Sequence, residues 1–131
     1  MVGIILVSHS RKITDGIKEM ITEMTGDGVL IFSSGGTDDD RLGTSAQKIM
    51  ESIEACYDCK RILIFCDMGS SILSAETAID LLDDELKDKC LIVDAPIVEG
   101  AFVASVQSLA TSNIEDILTE VSQLKLQSKV S

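Results

Sequence analysis

The chain has 131 residues, 22 of them acidic and 11 basic, for a formal net charge of −11; 45% are hydrophobic and 3% aromatic. That length suits one domain with a substantial core, and the charge argues against nucleic acid and anionic membrane surfaces, both of which select for Lys and Arg. No apolar run is long enough to cross a bilayer, and the first one lacks the basic flank and length of a signal peptide, so a soluble cytoplasmic protein is expected, with a basic protein partner compatible with the charge.

The elements alternate. A β-rich run predicts a first strand over about 2–8. Ile13, Ile17, Met20, Ile21 and Met24 then mark one face of a helix that Gly26 and Gly28 close. Val29–Ser33 reads as a second strand, followed by a Gly- and Asp-rich loop over 34–43. Thr44-Ser-Ala-Gln47 resembles a capping box and opens a helix with Ala46, Ile49, Met50, Ile53 and Cys56 inward. Arg61–Cys66 is a third strand. Ser70 or Ser71 is expected to cap a helix carrying Ala75, Ala78, Ile79, Leu82 and Leu86. Cys90–Val93 is a fourth strand. Pro96 suits the first turn of the next helix, with Val98, Ala101, Phe102 and Leu109 inward. Asn113 caps a last helix through Ile114, Ile117, Leu118, Val121 and Leu124, and a tail from Gln127 is expected to fray.

Strands alternating with helices imply right-handed βαβ units. The expected fold is α/β, an open, mainly parallel sheet of order 2-1-3-4 with helices on both faces. Residues 1–125 are expected to form one domain, and 126–131 a tail.

In such a sheet, ligands bind beyond the carboxyl ends of the strands, at the switch in strand order. There the sequence places Ser8-His9-Ser10, Ser34-Gly35-Gly36-Thr37, Asp67-Met68-Gly69-Ser70-Ser71 and Asp94-Ala95-Pro96. His9 is the only histidine, and imidazole can act as nucleophile, base or ligand near neutrality. With strands one and three adjacent, Asp67 can accept the proton on Nδ1 and leave the Nε2 lone pair exposed. Gly35, Gly36 and Thr37, together with Gly69, Ser70 and Ser71, are candidate donors to a phosphoryl group on His9. Each short pattern alone is compatible with a structural histidine, a turn or a helix cap. Their convergence on one rim is what points to function.

Cys66 and Cys90 fall inside apolar runs, where thiols act as small hydrophobes, and no disulfide framework is expected. Cys56-x-x-Cys59 closes a helix rather than opening one and has no second local ligand pair, so neither redox chemistry nor a metal site is expected. Asp38-Asp39-Asp40 reads as a solvated acidic loop.

Val7-Ser8-His9-Ser10, Gly35-Gly36-Thr37, Leu42-Gly43-Thr44-Ser45, Asp67-Met68-Gly69-Ser70-Ser71 and Asp94-Ala95-Pro96 with Val98-Glu99-Gly100 together resemble the DhaM family, phosphotransferase subunits of PTS-dependent dihydroxyacetone kinases. The resemblance spans residues 1 to about 125. Related IIA domains of mannose-type sugar permeases share the His and the Asp-x-Gly-Ser region but not the Gly-Gly-Thr and Asp-Ala-Pro segments. The resemblance implies a mannose-IIA-like fold and a homodimer. It implies that His9 accepts a phosphoryl group from HPr, with phosphoenolpyruvate the ultimate donor, and passes it to ADP held on the DhaL subunit, which phosphorylates dihydroxyacetone bound to DhaK. No cofactor is then expected on this chain, the ADP and Mg belonging to DhaL. Asp39 and Ser71 depart from the family pattern, and both are expected to flank the site and to bear on partner affinity. Alternatives are transfer to a sugar-permease IIB domain, a receiver-like switch phosphorylated on Asp67, and a flavodoxin-like binding module. The receiver reading lacks paired acids after the first strand and a fifth strand ending in Lys. The low aromatic content disfavours flavin stacking.

Overall fold

A computed structural model describes residues 1–126 and 128–130. Gln127, where the fraying tail was expected to start, and Ser131 lie outside the described residues. The elements are β1 (Val2–Val7), α1 (Arg11–Thr25), β2 (Leu30–Ser33), α2 (Ala46–Ala55), β3 (Arg61–Cys66), α3 (Gly69–Asp80), α4 (Asp84–Lys89), β4 (Cys90–Ile92), α5 (Ile97–Ala110) and α6 (Ile114–Ser122). The four strands form one sheet of order β2-β1-β3-β4, with every pairing parallel, as expected.

All six residues of β1 are buried, which is why its sequence is a continuous apolar run rather than an alternating one. Successive side chains still go to opposite faces. Ile4 and Leu6 of β1 join Leu63 and Phe65 of β3 beneath α1 (Ile17, Ile21), α5 (Ala101, Ala104) and α6 (Ile117, Val121). Ile5 and Val7 join Ile62, Ile64 and Cys66 beneath α2 (Ile49, Ile53), α3 (Ala75, Ala78) and α4 (Leu86). Helices thus cover both faces.

Several local expectations need correction. The continuous helix expected through Leu86 breaks after Asp80, because Asp83 caps a separate α4 by accepting from the Leu86 N–H at 2.9 Å. At α2 the cap is Ser45, which accepts from the Lys48 N–H at 3.1 Å, while the Thr44 hydroxyl pairs with Ser74 across to α3 and Gln47 donates to Glu51. The cap therefore stands one residue later than expected, and with Lys48 at the third helical position it is a single cap rather than a box. Pro96 is the N-cap residue of α5, one place before the first turn. Neither Ser70 nor Ser71 caps α3; Met68 occupies that position and both serines lie in the first turn. On α1, Ile17 and Ile21 are buried but Ile13, Met20 and Met24 are exposed; on α5, Val98 and Leu109 are exposed. The apolar faces of these helices are wider than the surface the sheet covers.

Candidate functional site

In the parallel register Val7 of β1 stands beside Cys66 of β3. Extending both strands by a residue or two brings Ser8-His9 against Asp67, and the Asp67 N–H fastens to the Val7 carbonyl at 3.1 Å. Asp67 is a dense acceptor. It takes the Ser8 hydroxyl (2.9 Å), the His9 N–H (3.0 Å), the Met68 N–H (2.7 Å) and the Ser71 hydroxyl. His9 Nδ1 lies 3.1 Å from its Oδ1 and 3.3 Å from its Oδ2. Burial alone would raise the Asp67 pKa, but the hydrogen bonds from Ser71, the His9 and Met68 amides and Ser8 outweigh it and hold the carboxyl far below the usual carboxylate range. Near neutral pH Asp67 is therefore a carboxylate.

An anionic acceptor at Nδ1 places the ring proton there, so Nε2 carries the lone pair. Ser70 then donates its hydroxyl to Nε2. The imidazole side chain is 26% exposed against 16% for Asp67, which leaves Nε2 the reachable atom and the carboxylate the shielded one. Nε2 sits at the head of α3, a 12-residue helix with no acidic residue in its first turn. The N–H groups of Gly69 and Ser70 have no intrahelical partner. The helix dipole there favours a negative group.

The structure thus brings together His9, Asp67, Ser70 and Ser71, with Gly69 beside them. Ser71 is fully buried and bonds to Asp67, with its Oγ 3.2 Å from His9 Nδ1. Its departure from the family pattern lies inside the site and not on a partner surface. Gly35, Gly36 and Thr37 stand behind the histidine. Their N–H groups go to Thr14 Oγ1 (3.1 Å), the Ser8 carbonyl (3.0 Å) and the Arg41 carbonyl (2.9 Å). The Gly43 N–H holds the His9 carbonyl at 2.8 Å. This loop is a clamp on the Ser8-His9 backbone. It needs glycine: a Cβ on Gly35 would come within 2.6 Å of the Ser10 carbonyl oxygen, and Gly36 has φ +80°.

The acidic loop is paired rather than simply solvated. Asp40 binds Arg11 (2.7 Å) and Lys48 (3.2 Å), Asp39 binds Arg41 (2.9 Å), and Asp38 accepts from Ser45. Lys48 also reaches the carbonyls of Gly35 (2.9 Å) and Thr37 (3.2 Å), strapping the clamp. Its ammonium, followed by the charge on Arg11, holds the Asp40 carboxyl below its usual range despite slight desolvation. The fourth rim segment does not join the site: exposed Asp94 pairs with Lys125 at 2.7 Å, and Gly100 packs against Phe65 and Ala95. Cys56 and Cys59 lie against Gly3 at the start of β1, the far end of the sheet from His9. All four thiols are free, and burial, then the neighbouring Cys59, pushes Cys56 up to about 12.

Three residues were given no role from the sequence. Ser8 bridges Asp67 and the Ser10 N–H (3.1 Å). Thr14, fully buried, ties α1 to Ser33 and Gly35. Gly43 anchors the histidine carbonyl. A buried polar residue at a strand end is a signal for Ser8; Thr14 is visible only as a polar interruption of an apolar helix face.

Comparison with known proteins adds to this geometry. Residues 3–118 match the family model described as PTS system fructose IIA component. The chain is 58% identical over 124 residues to the PEP-dependent dihydroxyacetone kinase 2 phosphoryl donor subunit DhaM of Listeria innocua, covering 95% of this chain and 99% of that one. It is 39% identical to the corresponding subunit of Providencia stuartii, covering 94% of this chain but 26% of that longer protein. Among solved structures, one protein of unknown function superimposes with TM-score 0.90 at 40% identity, covering 99% of this chain and 98% of that one. A phosphotransferase system EIIA component from Streptococcus agalactiae superimposes with TM-score 0.69 at 18% identity, over 100% and 97% of the two chains, and shares the fold.

Proposed function

The chain belongs to the PTS system fructose IIA component family, on the branch of the DhaM phosphoryl donor subunits, and from that premise we propose that it carries a phosphoryl group on His9 Nε2. One observation carries the proposal: Asp67 engages Nδ1 (3.1 Å) and leaves Nε2 at the head of α3.

The Nε2 lone pair attacks phosphorus and forms the N–P bond as the bond between phosphorus and the donor breaks, its electron pair leaving with the donor. The ring becomes cationic while Nδ1 keeps its proton, and the Asp67 carboxylate stabilises that cation. The Ser70 hydroxyl must first turn off Nε2. A rotation about χ1 does this and lets it donate to a phosphoryl oxygen beside the Gly69 and Ser70 N–H groups. Transfer onward reverses these steps, with an acceptor oxygen attacking phosphorus and the electron pair returning to Nε2. The protein supplies position and electrostatics, which is what phosphoryl transfer asks of it.

By kinship with the DhaM relatives, the proposed donor is HPr, charged from phosphoenolpyruvate. The proposed acceptor is ADP on a DhaL subunit serving dihydroxyacetone on DhaK. ADP and Mg would sit on that partner, and this chain would work in the cytoplasm as a homodimer. The test is incubation with phosphoenolpyruvate, enzyme I and HPr, followed by intact-mass and site mapping. One phosphoryl group on His9 is expected, and none on His9→Ala; a variant that still labels overturns the proposal. Mixing the phosphorylated chain with DhaL–ADP and, separately, with a sugar-permease IIB domain assigns the acceptor.

A further inference from the structure

We infer that Ser70, His9 and Asp67 form a nucleophile–base–carboxylate relay that hydrolyses small activated carboxylic esters, a second activity of the uncharged site. It goes beyond phosphoryl carriage and does not depend on it.

Three features carry this. The first is the order of contacts. The Ser70 hydroxyl donates to His9 Nε2, and His9 Nδ1 meets Asp67 at 3.1 Å. A hydroxyl bonded to a base that a carboxylate orients is the arrangement of a serine nucleophile, recognised by geometry and roles rather than by position in the chain. For a phosphoryl carrier that contact is idle, since the hydroxyl covers the lone pair that must reach phosphorus. For an activated serine it is the working contact. The second feature is access. Ser70 is exposed, whereas Ser71 is fully buried and donates to Asp67, as Ser8 does. The third is the surroundings of Ser70. Gly69 and Ser70 stand in the first turn of α3, where their N–H groups lack intrahelical partners and the turn holds no acidic residue. Those donors suit an oxyanion that forms at Ser70. Exposed Met68 precedes the serine and exposed Leu73 follows it by three residues on the same helix face, apolar ground for the acyl or aryl part of an ester. The surface is open, so the substrates that fit are short esters with a good leaving group.

Ser70 Oγ attacks the ester carbonyl carbon as its proton passes to His9 Nε2 and the C=O π pair moves to oxygen, where the Gly69 and Ser70 N–H groups hold it. Collapse breaks the bond to the leaving oxygen, which takes the proton from Nε2 and departs as the alcohol. Water then gives a proton to Nε2 and attacks the carbon of the acyl-serine. The second collapse returns that proton to Oγ and releases the carboxylic acid. Asp67 stabilises the imidazolium in both halves.

p-Nitrophenyl acetate and a fluorophosphonate, which marks activated serines, test this on the full chain with no phosphoryl donor present. The wild type should release nitrophenolate at least about tenfold faster than Ser70→Ala or His9→Ala, a smaller margin than the roughly 10²–10⁴-fold of a positioned general base because the site is open to water. Asp67→Asn should fall with them. Peptide mapping should put the fluorophosphonate adduct on Ser70 in the wild type and find none in His9→Ala. Ser70 is exposed, so Ser70→Ala should keep the wild-type urea midpoint, and unfolding is then no explanation of its loss. A margin below tenfold for Ser70→Ala means that the histidine takes the acyl group itself and overturns the relay. So does an adduct on Ser70 that survives in His9→Ala, or a wild type that forms none. Failure here leaves phosphorylation of His9 standing, and failure of that labelling leaves this activity standing.

Discussion

Replacing Asp67 by Asn keeps the shape of the side chain and removes its charge. In the wild type one oxygen receives the Met68 N–H and the Ser71 hydroxyl, and the other receives the His9 N–H and the Ser8 hydroxyl. An amide can place its oxygen on one side only, so one backbone N–H is left facing an NH2 group. That costs about 1–3 kcal/mol of stability. Catalysis suffers further. If the amide oxygen faces Nδ1, the ring keeps its tautomer but loses the carboxylate that stabilises it as a cation. A charge-assisted hydrogen bond is worth about 1.5–3 kcal/mol. If the NH2 group faces Nδ1, the proton moves to Nε2 and the nucleophilic pair is gone. Phosphorylation by the charged donor should slow by about 10²–10⁴-fold, the range spanned by losing one charged contact and by losing the tautomer as well. Rapid quench measures the rate. Nitrogen NMR reads the tautomer without ambiguity, because the chain has one histidine. A variant that phosphorylates within about threefold of wild type, with Nδ1 still protonated, would refute the role given to Asp67.

The depressed Asp67 pKa sets a pH dependence: its stabilisation is complete above the unfolded carboxylate range, near pH 4, and fades as pH falls towards the lower folded value. The urea midpoint of wild type should thus exceed that of Asp67→Asn above about pH 5, and the margin should shrink as pH falls below about 4. Ser70→Ala removes one neutral hydroxyl from Nε2 and from the carried group; single-turnover transfer should change by about 2–12-fold with the His9 tautomer unmoved, the equivalent of about 0.5–1.5 kcal/mol. Burial pushes Cys66 and Cys56 up to about 12, so neither thiol should react with a disulfide reagent at pH 8 in the native protein, and both should react in denaturant; fast native labelling would contradict their packing.

The order of the strands, the parallel sheet and the meeting of His9 with Asp67 were legible in the residues, whereas the break that makes α4 a separate helix was not. Apolar runs of strand length alternating with helical stripes leave few topologies, and the strand-end rule then places residues 9 and 67 on one rim. The residues alone thus specify which groups stand at the site. The packing of distant segments sets which of them are free to act. The glycine loop reads as an anion cradle by composition, yet the N–H groups of Gly35, Gly36 and Thr37 are engaged by Thr14, Ser8 and Arg41. Ser70 and Ser71 look equivalent by type, yet one turns to Nε2 and the other to the carboxylate. The helical period marks Ile13, Met20 and Met24 as inward, yet the sheet is too narrow to cover them. Periodicity reports which face of an element is apolar, a local property of the chain. Hydrogen-bond partners and covered area depend on which distant segments arrive there, and only the folded arrangement fixes that.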